Sequence, residues 1–204
     1  MHCSSLPLHL SIPSPIRLVA VTKGRTVEDI ERLIQKGCTW FGENRIQEIQ
    51  RKWPLLKKQY PHVKLQFIGQ LQTNKALDAM ELCDSLISID RPQLVETLSR
   101  ILDSSPKNIE LLIQINLARE PQKGGVSVED LPSLLQLCHR KNLSIAGLMT
   151  IPPAGIDPTP YLTQLAQLCT SHNLKECSMG MSEDYALAIS LGATQVRIGR
   201  ALFT

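Results

Sequence analysis

Eight short apolar segments alternate with amphipathic segments along almost the whole chain, and this alternation constrains the possible folds more than any other feature. The apolar segments are rich in Leu, Ile, Val and Ala, which is typical of parallel strands covered on both faces. The predicted strands are residues 18–21, 39–41, 63–69, 86–89, 111–116, 145–150, 176–179 and 195–198. Strands that alternate with helices in this way indicate a series of βα units.

Helix start signals fall between these strands. Thr26 followed by Asp29 is the pattern of a capping box at the start of the first helix. Asp90 before Pro92 predicts an N-cap for a later helix, and Ser182 is the predicted N-cap of the helix after the seventh strand. Eight βα units in 204 residues predict a (β/α)8 TIM-type barrel at the small end of the known size range. An open doubly wound sheet is the alternative, since the number of strands alone does not exclude it.

The chain is predicted to form one α/β domain. Residues 17–204 make up the barrel, and residues 1–16, which lack helical periodicity, form an N-terminal tail. A mild net charge of +3 argues against a dedicated nucleic-acid-binding protein. No apolar segment is long enough to span a bilayer, and the tail is a poor secretory signal. We therefore expect a cytoplasmic protein that has neither nucleic acid nor membrane as its partner.

The six cysteines are scattered along the chain, and no two of them have the C-x-x-C spacing. This distribution predicts free thiols rather than a disulfide framework. Cys138 next to His139, and Cys169 three residues before His172, match no known pattern of metal ligands. No metal site is predicted.

A lysine stands where the active face of such a barrel is expected. Active sites of (β/α)8 barrels lie at the carboxyl ends of the strands, and Lys23 comes just after the first strand. Desolvation at an apolar mouth lowers the pKa of a lysine and makes its amine a better nucleophile, suited to forming a Schiff base with an aldehyde or ketone. The alternative is that Lys23 simply begins a loop and points into water, as lysines at barrel rims often do.

An anion site is predicted at the other side of the same face. Gly199 and Arg200 follow the last strand, where a turn leaves backbone N–H groups free to bind phosphate, and Ser182 can add its hydroxyl. Arg197 lies within the last strand, and an arginine that points inward there needs a partner for its charge. A Schiff-base lysine and a phosphate site on one face match the two ends of pyridoxal 5′-phosphate (PLP).

Several motifs in this sequence also resemble those of a known family. They are AVTK at 20–23, FGEN at 41–44 followed by QE at 47–48, FIGQLQTNK at 67–75, GLMTIP at 147–152, SMGMSED at 178–184 and VRIG at 196–199. The resemblance runs in order from Arg17 to Phe203. On these motifs the chain resembles the YggS/PROSC family of PLP homeostasis proteins.

The resemblance implies a single barrel of the alanine racemase N-terminal-domain type (PLP fold type III) that binds PLP. It implies that Lys23 forms a Schiff base with PLP and that Arg197 faces the pyridine nitrogen. The other implied cofactor-binding residues are Asn44 and Met149, which line the pocket, and Ser182, Gly199 and Arg200, which hold the phosphate. The implied role is intracellular PLP homeostasis and amino-acid and keto-acid balance, carried out by a monomer that serves PLP-dependent apoenzymes without robust catalysis of its own.

The chemistry of the residues agrees with a non-catalytic role. A guanidinium beside the pyridine nitrogen keeps that nitrogen unprotonated, so PLP is a poor electron sink. Racemisation in the related two-domain enzymes also needs an acid/base group from a second domain, which we do not expect here. Two enzymatic alternatives stay open: a PLP-dependent racemase-like enzyme, and a cofactor-free Schiff-base aldolase that uses Lys23.

Three positions depart from the residues that are common in the family: Gln66, Gln70 and Thr150. None of them is the lysine or belongs to the phosphate site. Most family members also have a helix before the first strand, and the residues that precede Arg17 show no such helix. We therefore expect a shortened N-terminus.

Overall fold

The computed structural model describes residues 12–203, which contain a closed barrel of eight parallel strands. Each strand pairs with the next one along the chain, and the last pairs with the first. The strands are β1 Arg17–Val21, β2 Trp40–Glu43, β3 Lys64–Phe67, β4 Ser85–Ile89, β5 Glu110–Ile115, β6 Ile145–Thr150, β7 Glu176–Ser178 and β8 Gln195–Ile198. The predicted (β/α)8 barrel is confirmed, and the open-sheet alternative is wrong.

Helices connect the strands on the outside of the barrel. They are α1 Val27–Gln35, α2 Ile46–Gln59, α3 Ala76–Leu82, α4 Pro92–Ser104, α5 Leu131–Arg140, α6 Thr159–Ser171 and α7 Tyr185–Ser190, with short 3-10 helices at Thr73–Lys75 and Arg200–Leu202. Within residues 12–203, no helix is long and apolar enough to cross a membrane. Most of the predicted N-terminal tail lies outside the described residues, and the described Ile12 and Ile16 pack against the core.

One predicted helix cap is confirmed and two are wrong. Thr26 Oγ1 accepts a hydrogen bond from the backbone N–H of Asp29, and the Asp29 carboxylate accepts one from the N–H of Thr26, which completes the capping box. Asp90 does not cap α4, because its carboxylate instead accepts from the Arg91 side chain and from the N–H of Gly125. Ser182 does not cap α7, whose N-cap is the residue before Tyr185.

Two buried regions fill the molecule. The larger core lies between the sheet and the helices and includes Ala20, Phe41 and Trp53. A smaller cluster of Ile87, Leu112 and Met149 is fully buried and lies inside the barrel. This placement follows from the alternation of side chains along each strand, since successive residues point to opposite faces. The barrel interior is therefore a packed core and not an open channel.

The amino-terminal end of the barrel is closed by polar side chains. Arg17, the first residue of β1, forms an ion pair with Glu110, the first residue of β5, at 2.8 Å. The Arg17 guanidinium also lies 4.3 Å from the centre of the Trp40 ring. At the same end, the fully buried Gln66 donates a hydrogen bond to Gln195 across the barrel. We call these five residues the barrel floor.

No disulfide joins the cysteines in the described part of the chain, and all of them are buried: Cys38, Cys83, Cys138, Cys169 and Cys177. The sixth, Cys3, lies outside the described residues. Burial raises the pKa of the Cys83 thiol to about 12, so it stays protonated at neutral pH. Among residues 12–203, no three His, Cys, Asp or Glu side chains come together in a way that could hold a metal ion.

Candidate functional site

The seven predicted site residues gather at the carboxyl end of the barrel. They lie on β6 and β8 or in the loops that follow β1, β2, β7 and β8: Lys23, Asn44, Met149, Ser182, Arg197, Gly199 and Arg200. Because β1 is hydrogen-bonded to β8 on one side and to β2 on the other, the three loops emerge side by side. Lys23 therefore stands between Asn44 and Gly199.

Lys23 lies at the inner rim of the barrel mouth. Ala20 on β1 belongs to the core outside the sheet. Because side chains alternate between the two faces of a strand, the next residue, Val21, points into the barrel. Lys23 follows two residues later, in a turn. Its side chain is exposed to solvent. This exposure agrees with the alternative of a solvated lysine at the barrel rim that the sequence left open.

Arg197 is the buried charge of the site. Its guanidinium donates to Ser178 Oγ at 2.5 Å and to the carbonyl oxygen of Thr150 at 2.8 Å, and the residue is 4% exposed. Both acceptors are neutral, and no described carboxylate forms an ion pair with it. Burial lowers the pKa of Arg197 to about 10, which still leaves it protonated at neutral pH. A guanidinium has five N–H donors, so this one retains donors for a further acceptor.

Met149 provides an apolar wall beside this charge. It is fully buried with Ile87 and Leu112 inside the barrel, and it directly precedes Thr150, whose carbonyl oxygen binds Arg197. Hydrocarbon and the remaining N–H donors of Arg197 therefore lie in the same part of the barrel. This combination suits a planar heteroaromatic group that carries a nitrogen acceptor.

A turn with available backbone N–H groups follows β8. The N–H of Gly199 points at Ser182 Oγ over 3.4 Å, a long contact that a stronger acceptor would replace. No atom lies within 3.5 Å of the place where a Cβ on Gly199 would stand. The Arg200 side chain pairs with Glu183 at 2.6 Å, and both side chains are more than four-fifths exposed, so only the backbone of Arg200 is directed to the turn.

Asn44 carries an unused acceptor. Its Oδ1 atom is buried and has no hydrogen-bond partner among the described residues. A buried amide oxygen without a partner costs about 1–3 kcal/mol, so its presence at a barrel mouth points to a ligand that donates to it or to ordered water. Together with the buried guanidinium of Arg197 and the weakly bonded N–H of Gly199, this orphaned atom fits a ligand that has the polar groups of PLP.

The structure also shows roles for residues to which the sequence gave none. Ser178 and Thr150 orient Arg197, although the sequence motifs containing them suggested no role for either. Gly69 lets the chain pass directly against the backbone of Asn44, since a Cβ at this position would lie 2.2 Å from the Asn44 carbonyl oxygen. Only glycine allows the two backbone segments to lie this close, and their contact fixes the position of the carboxyl end of β2.

We predict that Gly69→Ala lowers the free energy of unfolding by roughly 1–3 kcal/mol, because the added methyl group meets backbone atoms that cannot rotate away. Chemical denaturation measures this loss. Gly42→Ala is the matched control, since its Cβ would meet only side-chain atoms of Val19 and Ile68, the nearest at 3.2 Å. A smaller loss is expected there, and equal losses for the two variants would contradict the assigned role of Gly69.

Comparison with known proteins first defines the class. Residues 10–204 match the family described as alanine racemase, N-terminal domain. The fold resembles that of an alanine racemase from Clostridium difficile with a TM-score of 0.73 over 94% of this chain and 53% of the enzyme, at 12% sequence identity. A similarity at this level of identity concerns the fold alone.

Closer relatives define the particular family. A pyridoxal phosphate homeostasis protein from Synechocystis is 41% identical over 203 residues, which cover 95% of this chain and 93% of the relative. The chain belongs to the family of pyridoxal phosphate homeostasis proteins. PipY of Synechococcus elongatus has been solved without PLP (TM-score 0.87, 35% identity) and with PLP bound (TM-score 0.83, 33% identity), and each comparison covers 95% of this chain and 94% of PipY.

Proposed function

We propose that this protein binds PLP at the carboxyl mouth of its barrel and takes part in PLP homeostasis and in amino-acid and keto-acid balance. The observation that carries the proposal is the buried guanidinium of Arg197 on β8, whose hydrogen-bond acceptors are both neutral. The relative from Synechocystis that carries the homeostasis name, and the PipY structure that contains PLP, support this reading.

Each site residue has a separate task in this proposal. PLP would supply an aldehyde, and Lys23 Nζ would be the amine that condenses with it. Arg197 would donate an N–H to the pyridine nitrogen. The backbone N–H groups of Gly199 and Arg200, with the hydroxyl of Ser182, bind the phosphate in place of the 3.4 Å contact described above. The remaining two residues, Asn44 and Met149, line the pocket.

We propose further that the protein has no robust catalytic activity. Arg197 is protonated at neutral pH and can only donate, so it holds the pyridine nitrogen unprotonated and leaves the ring a weak acceptor of electron density. A carboxylate in its place would have the opposite effect. The protein would then store PLP and release it to PLP-dependent apoenzymes. We place it in the cytoplasm as a monomer, where its free thiols stay reduced.

A titration of the purified protein with PLP tests the proposal. We expect one equivalent of PLP to give a visible absorption band that borohydride bleaches. After this reduction, the protein should carry a mass increase that survives denaturation. The same titration with pyridoxal, which lacks the phosphate, is expected to need a much higher concentration, because the contacts with the Gly199 turn are lost. Absence of the band in a folded protein would overturn the proposal and favour the aldolase alternative.

A further inference from the structure

We infer that Lys52 is a positioning residue that holds the loop of Lys23 in place, an inference that rests on the proposed function. Lys52 lies on α2, outside the sheet, and its side chain is 2% exposed. A lysine is rarely buried to this extent unless its charge is fully paired. Its contacts show what this buried charge is used for.

The ammonium group of Lys52 is surrounded by acceptors. It donates to Glu43 Oε1 at 2.5 Å and to Glu48 Oε2 at 2.9 Å. It also lies 3.2 Å from the carbonyl oxygen of Thr22 and 3.5 Å from that of Arg25. An ammonium group has three N–H donors, so these four acceptors use its capacity completely. Two of the four belong to the backbone on either side of Lys23.

The two carboxylates bind the same loop directly. Glu43 Oε1 accepts from the hydroxyl of Thr22 at 2.8 Å, and Glu48 Oε2 accepts from the N–H of Gly24 at 3.0 Å. The hydrogen bond from Lys52 lowers the pKa of Glu48, so this carboxylate remains ionised as an acceptor. The backbone is therefore held at the residue before Lys23 and at the residue after it. We call Lys52, Glu43 and Glu48 the loop clamp.

The clamp adds restraints to a segment that backbone hydrogen bonds of Thr22 and Arg25 also hold. Only a turn separates β1 from α1, and Gly24 in this turn has a φ of +69°, a conformation that glycine adopts without strain. A buried ion pair is an inefficient source of stability, because the desolvation of both charges offsets most of their attraction. The contacts of the clamp with the loop backbone instead fix the position of the Lys23 backbone. The Lys23 amine then has fewer positions to sample before it meets the PLP aldehyde.

The test uses Lys52→Met in the full chain, with Lys57→Met as the matched control. Lys57 lies on the same helix and is also paired, with Asp84 at 2.7 Å and with the carbonyl oxygen of Leu82 at 3.2 Å, but its contacts are remote from the loop. We expect Lys52→Met to slow formation of the borohydride-trapped adduct by about 10- to 100-fold. The rate for Lys57→Met is expected to stay within about twofold of that of the unchanged protein.

Removing Lys52 alone leaves Glu43 buried without its cation, which can destabilise the fold. The double variant Glu43→Gln/Lys52→Met removes both charges and is measured in parallel. Hydrogen exchange of the amides at 22–25, without PLP, provides a second readout. We expect faster exchange there in both clamp variants and unchanged exchange in Lys57→Met.

The outcomes separate the two proposals. Slower adduct formation together with faster loop exchange supports the role of Lys52. If a clamp variant shows faster loop exchange but forms the adduct at an unchanged rate, the positioning role of Lys52 is overturned and the proposed function stands. Unchanged loop exchange overturns the clamp itself. Failure of the unchanged protein to bind PLP overturns the proposed function, and with it the positioning role.

Discussion

The Lys23→Ala variant is expected to lose the borohydride-reducible PLP adduct and to keep its fold. Lys23 is exposed and lies outside both cores, so the free energy of unfolding should change by no more than about 0.5 kcal/mol. The amine that condenses with the aldehyde is absent, whereas Arg197 and the Gly199 turn remain to bind PLP reversibly. The measurement is reduction with borohydride, digestion and mass spectrometry of the peptide that contains residue 23.

Lys58→Ala is the control for this prediction, because Lys58 is an exposed lysine on α2 and lies away from the mouth. It should retain a full adduct on Lys23. If the unchanged protein carries its reduced adduct on another lysine, the role assigned to Lys23 is wrong. A loss of cooperative unfolding in Lys23→Ala would contradict the placement of this side chain in solvent.

The second large effect is expected at Arg197. In Arg197→Met the proposed charged donor to the pyridine nitrogen is lost, and a hydrogen bond to a charged group contributes about 1.5–3 kcal/mol. This corresponds to a loss of PLP affinity of about 10- to 150-fold. The pyridine nitrogen should also become protonated more readily, since the neighbouring positive charge that opposed its protonation is gone. Nitrogen NMR of PLP labelled at the ring nitrogen, recorded against pH, measures this change.

Arg17→Met tests whether the effect is specific to the mouth. Arg17 belongs to the same barrel but lies at the opposite end, in its ion pair with Glu110. Its removal should lower stability and leave both the PLP affinity and the protonation of the ring nitrogen unchanged. Equal effects of the two substitutions on the ring nitrogen would show that Arg197 does not face it.

The barrel could be predicted from the sequence because its signals are local. The apolar runs and their spacing indicate eight βα units, and the capping box of Thr26 and Asp29 depends on residues only three apart. Two other predicted caps are wrong because their side chains have other partners. Asp90 binds the side chain of the adjacent Arg91. Its second partner, the N–H of Gly125, and the partner of Ser182, the N–H of Gly199, lie far along the chain. A short sequence window contains no information about such contacts.

The site could be predicted only in part for the same reason. Position after a strand places Lys23 at the mouth, but it does not determine how far the side chain is exposed. The clamp was missed, since Lys52 and the carbonyl of Thr22 are 30 residues apart and meet only when α2 packs against the sheet. One signal was present in the sequence. Lys52 lies on the same helical turn as the buried Trp53 and four residues after Glu48, and this position directs it toward the barrel.

The barrel floor determines the route by which a bound molecule can leave. Arg17, Trp40 and Glu110 close the amino-terminal end together with the buried Gln66 and Gln195. Among residues 12–203, this leaves the carboxyl end as the opening for entry and exit, and the loop of Lys23 borders it. A protein that received PLP by direct transfer would have to dock over this opening and touch that loop. A receiver that never contacts it can capture only PLP that has already diffused into solution, at a rate no faster than its spontaneous release.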